Sequence, residues 1–340
     1  MPTHGFRAAA RRLGAALAVA TVTAGCSSEL VDSTPPTVEP ARAAVSPAVS
    51  TAPAGEVIAL AGRPQAALYD RAAESLVVFT PGPQATLTLL DRAGRTRPVV
   101  LPGPASAVAG DGDGTVYAST RGAVFEVDLA SATVVRTEIA GETGTDFTAV
   151  ARRDDGRLVL GSADGSAYTL AADMTVSRKT DVFARVDAAV TVGDIAVVLD
   201  RGQTSVTALS PAGEPRQALR AGVGATSITA DAAGRVLVTD TRGGQLLVFT
   251  VDPLIERQAY PVSDSPFGLA GSPTLAWVSQ TATNTVVGYD LATGIPVEKV
   301  RYPTVQQPDS MAFDEQTRTL YVVSGSGGGV QVITDAGGRA

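Results

Sequence analysis

One phrase recurs seven times along this chain, about every 40 residues, and a fixed period of that size marks a repeat architecture. Its clearest part is an apolar, β-branched run: LVVFT from Leu76, TVYAST from Thr115, RLVLGS from Arg157, IAVVLD from Ile195, RVLVTD from Arg235, LAWVSQ from Leu275 and TLYVVS from Thr319. Ahead of each run lies an equivalent apolar position, at Leu68, Val108, Val150, Ala189, Ile228, Leu269 and Met311. Polar turns such as Asp111-Gly-Asp-Gly or Asp231-Ala-Ala-Gly separate the two, a third run follows, and a more charged fourth closes the unit, as over 214–222 and 295–303. Four short strands per repeat, repeated radially, make a propeller blade. An immunoglobulin-like array would need units of roughly 100 residues. The fold class predicted is therefore all-β, a seven-bladed β-propeller, with small apolar strands near the axis and charged strands outermost.

The chain ends support closure of the ring. The seventh repeat stops over 335–340, before any fourth strand. An orphan phrase, Glu56-Val-Ile-Ala-Leu-Ala61, precedes the first repeat and matches the fourth-strand phrase at 217–222. Residues 56–61 are predicted to complete the last blade and latch the circle.

Upstream of the repeats, His4, Arg7, Arg11 and Arg12 precede an apolar run over 13–24, followed by Ala24-Gly25-Cys26. A basic segment, a short apolar core and small residues at the break describe a secretory signal too short to span a bilayer permanently. The stretch resembles a bacterial lipoprotein signal, with Thr23 where that family usually carries Leu, Val or Ile. The resemblance implies cleavage before Cys26, diacylglycerol on its sulfur, and a chain held on the extracytoplasmic face of the cell membrane through that lipid anchor. A plain secretory signal and a cytosolic apolar N-terminus are the alternatives. Residues 27–54 are rich in Ser, Thr, Pro and Ala and bury too little apolar surface to offset their ordering entropy. They read as a disordered tether reaching up to ~80 Å in the polyproline limit. The predicted organisation is signal 1–25, tether 26–54 and propeller 55–340.

Charge and residue inventory narrow the chemistry. Loss of residues 1–25 removes three arginines and no acid, moving 27 basic and 34 acidic residues to 24 and 34, and the net charge from −7 to −10. No basic stripe is present to engage phosphates, so nucleic acid is not an expected partner. Cys26 is the only cysteine, which rules out an internal disulfide. His4 is the only histidine, so the domain after the signal has no imidazole for general base work, a Ser-His-Asp triad or metal ligation. Asp111-Gly-Asp113-Gly resembles half of a calcium loop but sits where every repeat turns. Residues 162–168 faintly echo a sialidase Asp-box, and 325–329 (GSGGG) lacks the lysine and helix of a phosphate loop. Trp277 reads as core. No cofactor and no metal are expected.

The repeat resembles YncE-like and NHL-like seven-bladed propellers. From signal to propeller, the chain is similar to actinobacterial envelope lipoproteins of the mycobacterial LppL type, including LVLGSADG from Leu158, RGQTSV from Arg201 and DLATGIPVEKVRYP from Asp290. That resemblance implies architecture and anchoring, and brings no established activity. Quinoprotein sugar dehydrogenases and virginiamycin-lyase-like propellers use histidine, and propeller lactonases hold calcium partly through asparagines, of which Asn284 is the only one here.

In a propeller, loops joining a fourth strand to the next first strand share one face with loops joining second to third strands. The first group carries Asp146, Phe147, Arg185, Asp187, Phe267 and Asp309, and the second Arg201, Asp240, Arg242, Gln280 and Asn284. Acids and guanidinium groups circling a central opening suit a polar peptide, a glycan or a partner loop. Ordinary solvated turns with weak local ion pairs are the competing explanation. The expected function is non-catalytic: an envelope lipoprotein whose face binds or scaffolds a protein or a cell-wall glycan. The alternative is a hydrolase or lyase using carboxylates and arginine without histidine.

Overall fold

Each of the seven sequence repeats closes its own four-stranded antiparallel sheet in the computed structural model, which describes Met1 and residues 36–337. Residues 36–337 belong to one compact unit. Cys26 and the signal region lie outside the described residues. Blades one to six span 66–100, 107–138, 147–181, 188–220, 225–261 and 266–303. Blade seven takes three strands from 308–333 and its fourth, outermost strand from Glu56–Ile58. Glu56, Val57 and Ile58 pair with Val332, Gln331 and Val330 in antiparallel register, as the orphan phrase predicts, although the strand ends at residue 58 rather than 61. The innermost strand of each blade neighbours that of the next, and the first neighbours the last, so the ring is closed.

Why these segments are strands follows from where they sit. The second strand of blade three (Leu158–Ser162), of blade five (Val236–Asp240) and of blade six (Leu275–Gln280) is buried at every position, which β-branched and apolar side chains fill well. Outermost strands are mostly exposed, and Arg216, Arg220, Lys299 and Arg301 on them discourage edge pairing. The innermost strands are less covered than the second strands. Ala107–Gly110 and Ala188–Val192 are only half-buried throughout, because their inward faces line the central channel.

Stability is distributed around the circle. Every blade-to-blade seam has its own apolar cluster, from Val77, Leu87, Val116 and Phe125 between blades one and two to Leu76, Val78, Tyr321 and Val323 where blade seven meets blade one. At that last seam Tyr69 and Tyr321 stack with ring centroids 5.7 Å apart, and Ile58 packs on the same cluster. Gly329, at φ +88°, lies so close to the Ile58 carbonyl that any side chain would collide with it. Trp277 is fully buried between Tyr302 and Phe313, as the core reading predicts.

Candidate binding face

The face that carries the loops before each first strand and after each second strand also carries residues 36–54. Far from hanging free, this segment is laid across blades four to seven as a strap. The Val38 amide donates to the Gly202 carbonyl at 2.8 Å, and the Ala44 amide to Ser265 Oγ at 3.0 Å. Arg242 Nη2 donates to the Glu39 carbonyl at 2.5 Å, and Arg201 Nη2 to that of Ala41. Ser46 donates its amide to Gln307 Oε1 at 2.9 Å and its hydroxyl to the Thr281 carbonyl at 2.6 Å. Asn284 holds the Pro47 carbonyl, and the Ala54 amide reaches the Pro303 carbonyl at 3.0 Å. The expectation of a disordered tether over 26–54 is thus corrected for residues 36–54. An extended, proline-rich chain leaves its main-chain groups unpaired, and this face supplies their partners. Only Ala41 and Ser46 are buried, so composition alone carried no sign of docking.

The predicted face residues divide into three kinds. Arg201, Arg242 and Asn284 hold the strap. Asp240, Gln280 and Phe147 point inward, which corrects their assignment to an accessible surface. Asp240 is 1% exposed and accepts the Val223 and Gly243 amides at 2.9 and 2.8 Å, pinning its own turn. Gln280, also 1% exposed, donates to the Ser263 carbonyl and accepts from Arg301. Phe147 begins a strand rather than ending a loop. It is fully buried against Tyr168, edge to face at 5.2 Å. Asp146 is half-buried and bridges to Arg121 through its backbone.

The remaining residues meet at the channel mouth. A cavity of about 550 Å³ is lined by Arg63 from blade one, Asp187 and Arg201 from blade four, Phe267 from blade six and Asp309 from blade seven. That volume falls within the ~300–1,000 Å³ of small-ligand sites. Asp187 accepts Arg185 Nε at 3.1 Å and the Arg201 amide at 2.8 Å. Among the described residues Asp309 accepts only Gln307 Nε2, at 2.8 Å, and burial pushes its carboxyl above the usual range despite that bond. Gly325 lies beside this carboxylate, where a Cβ would collide with it. Gln307 also donates to the Ala44 carbonyl, linking the strap to the mouth. Sequence reasoning missed Arg63 as a member of the site, and the Arg63-Pro64 phrase at a first-strand start was the available signal. A smaller cavity of about 180 Å³ adjoins the mouth at Asp309 and is lined by Ile228, Leu269 and Met311.

A larger cavity of about 650 Å³ opens between blades one and two, among the turns at the other ends of their strands. Most of its charged groups are engaged within the fold: Arg95 with Asp91 at 2.7 Å, Arg97 with the Leu129 carbonyl, and Asp128 with Ser131. Asp111 accepts the Asp113 and Thr115 amides at 2.8 and 2.9 Å, the geometry of a turn. No group of three or more metal-ligating side chains occurs among the described residues.

No family model matches the sequence, and no curated protein matches it either. Solved structures do. A streptogramin B lyase superposes with a TM-score of 0.68 at 11% identity, over 82% of this chain and 97% of its own. A chain of the mitotic checkpoint complex gives 0.68 at 11% identity, over 96% and 98%. A catalytically inactive histidine-to-alanine virginiamycin B lyase from Staphylococcus aureus, with quinupristin, gives 0.65 at 11% identity, over 82% and 98%. The chain has a virginiamycin B lyase-like seven-bladed propeller fold. At such identities the propeller is what is shared, and chemistry has to be argued from this chain's own mouth and strap.

Proposed function

We propose that this protein is a non-catalytic, lipid-anchored binding protein on the outer side of the cell membrane. It presents the strap-bearing face to an envelope protein or a cell-wall glycan. The observation that carries the binding reading is the channel mouth. Arg63 and Asp309 stand there with almost no role in holding the fold, over a cavity of small-ligand size. Polar groups left over after the fold is satisfied are available for a ligand. Anchoring rests on the Ala24-Gly25-Cys26 phrase and its lipoprotein resemblance. Among the described residues no helix is long and apolar enough to cross a membrane.

A lyase is the second reading, favoured by the similarity to streptogramin B lyase. Against it stands the histidine inventory. One such neighbour is inactive as a histidine-to-alanine variant, whereas the only histidine here is His4, inside the expected signal. In-cell crosslinking of the lipidated protein followed by mass spectrometry tests the first reading. One stoichiometric envelope component, or one captured glycan, supports it, and recovery of abundant bystanders alone counts against it. Cys26→Ser should move the protein from membranes to the medium. Turnover of quinupristin that vanishes on Arg185→Ala or Asp187→Ala would establish the lyase instead.

A further inference from the structure

We infer that the channel mouth is an anion site, completed by the strap, which takes the carboxylate or phosphate of a polar ligand. The inference deepens the binding reading and rests on it. In an acidic chain this opening gathers guanidinium groups: Arg63 and Arg201 in its wall, and Arg185 near Arg201, paired with Asp187. The strap brings a fourth, Arg42, whose exposed ion pair with Glu39 is 3.4 Å long. Burial holds the Arg201 guanidinium below its ordinary pKa. Asp187 opposes that shift, while the charges of Arg185 and Arg42 add to it, so these cations feel one another.

The acids at the mouth already have partners within the fold. Asp187 is already engaged by Arg185 and the Arg201 amide. Asp309 is bonded to Gln307. Arg63 makes no hydrogen bond or ion pair among the described residues. Arg201 donates Nη2 to the Ala41 carbonyl, but its buried Nε has no acceptor among the described residues. A partly desolvated guanidinium beside like charges is unfavourable alone and is relieved by an oxyanion, whose geometry its fork matches. Holding Arg201 through Ala41 fixes that fork at the rim, so the strap positions the cation that the site uses.

Titration calorimetry on the full chain with three probes tests this: N-acetyl-alanyl-alanine with a free carboxylate, its C-terminal amide, and inorganic phosphate. At least one anion should bind about tenfold or more tighter than the amide, a difference of ~1.4 kcal/mol. Whether carboxylate or phosphate leads identifies the source. Arg63→Gln, a change at an exposed and unpartnered residue, should weaken binding about tenfold with an unchanged melting temperature. Arg201→Lys keeps the charge and loses the fork, and should weaken it too, while Arg42→Gln should weaken it by a smaller factor. Equal binding of the amide, no binding of either anion, or parent-like affinity in Arg63→Gln overturns the anion site. Parent-like affinity in Arg42→Gln overturns the strap's part in it. Capture of an envelope partner without anion binding sinks this inference alone and leaves the binding reading standing.

Discussion

The side-chain Nδ2 of Asn284 donates to the backbone carbonyl of Pro47, 237 positions earlier in the chain, at 2.8 Å. Its Oδ1 accepts the Gln307 amide at 3.1 Å, so one amide side chain joins the strap to blades six and seven. Asn284 also sits at φ +50°, a left-handed conformation that asparagine tolerates better than most residues. Asn284→Gly should remove both bonds while easing the backbone, and Asn284→Ala should remove them and add ~1–2 kcal/mol of strain. Both variants should be cut faster by trypsin after Arg42, and the alanine variant should melt lower. Parent-like cleavage kinetics in both would show that the strap is not held through this residue.

The latch yields a second expectation. Ile58 packs into the seam between blades seven and one, with its strand paired to Val330–Ile333. Ile58→Ala should cost about 1–2 kcal/mol, scaled down from a fully buried isoleucine because Ile58 is only half-buried. Deleting 56–58 should lower the melting temperature by several degrees, since ~1 kcal/mol shifts a domain of this size by roughly 2–4 °C. Gly329→Ala should act in the same direction, because its Cβ would strike the Ile58 carbonyl. A deletion variant that melts with its parent would mean that the ring closes without its N-terminal strand.

These two devices were unequally visible beforehand. The latch was legible because two defects matched: a seventh repeat without a fourth strand, and an orphan strand phrase at Glu56. The blades were legible because each second strand is buried and must be apolar and β-branched. The strap was not. Its bonds run from its main chain to Asn284, Gln307, Arg201 and Ser265, and main-chain partners leave no trace in composition. Phe147 was misplaced by position, since the strand starts at that residue and turns its ring inward. Asp240 was misplaced by chemistry, because a carboxylate at a strand end serves a turn as readily as a ligand.

A buried arginine supplies a third test. Arg153 is 2% exposed, and donates Nη1 to the Pro211 carbonyl and Nη2 to Asp155 Oδ2, both at 2.6 Å, clamping blade three to blade four. Removing one partner of a buried pair strands a charge, whereas removing the charge with its stem preserved does not. Asp155→Ala should therefore lower stability by about 2–3 kcal/mol, below the full buried-pair value because Asp155 is partly exposed. Arg153→Met should lower it less. Urea denaturation midpoints give the ranking, and the reverse order would show that the arginine stem matters more than its pairing.

The last prediction concerns acid. Burial raises the Asp309 carboxyl above its ordinary value, with the Gln307 bond only partly opposing. The native state therefore holds this proton more tightly than the unfolded chain does. Between the unfolded and folded pKa the unfolded chain binds fewer protons, so this group's contribution to stability falls as pH rises. Above the folded pKa its penalty is complete, and below the unfolded pKa it is absent. Asp309→Asn retains an acceptor for Gln307 and removes the titration. It should melt higher than the parent at pH 7, and that advantage should shrink as pH falls through the ordinary carboxylate range. Melting curves at pH 7, 5 and 4 decide the matter. An advantage that stays constant with pH would mean that asparagine stabilises by packing, and that the Asp309 carboxylate is not held under desolvation at the mouth.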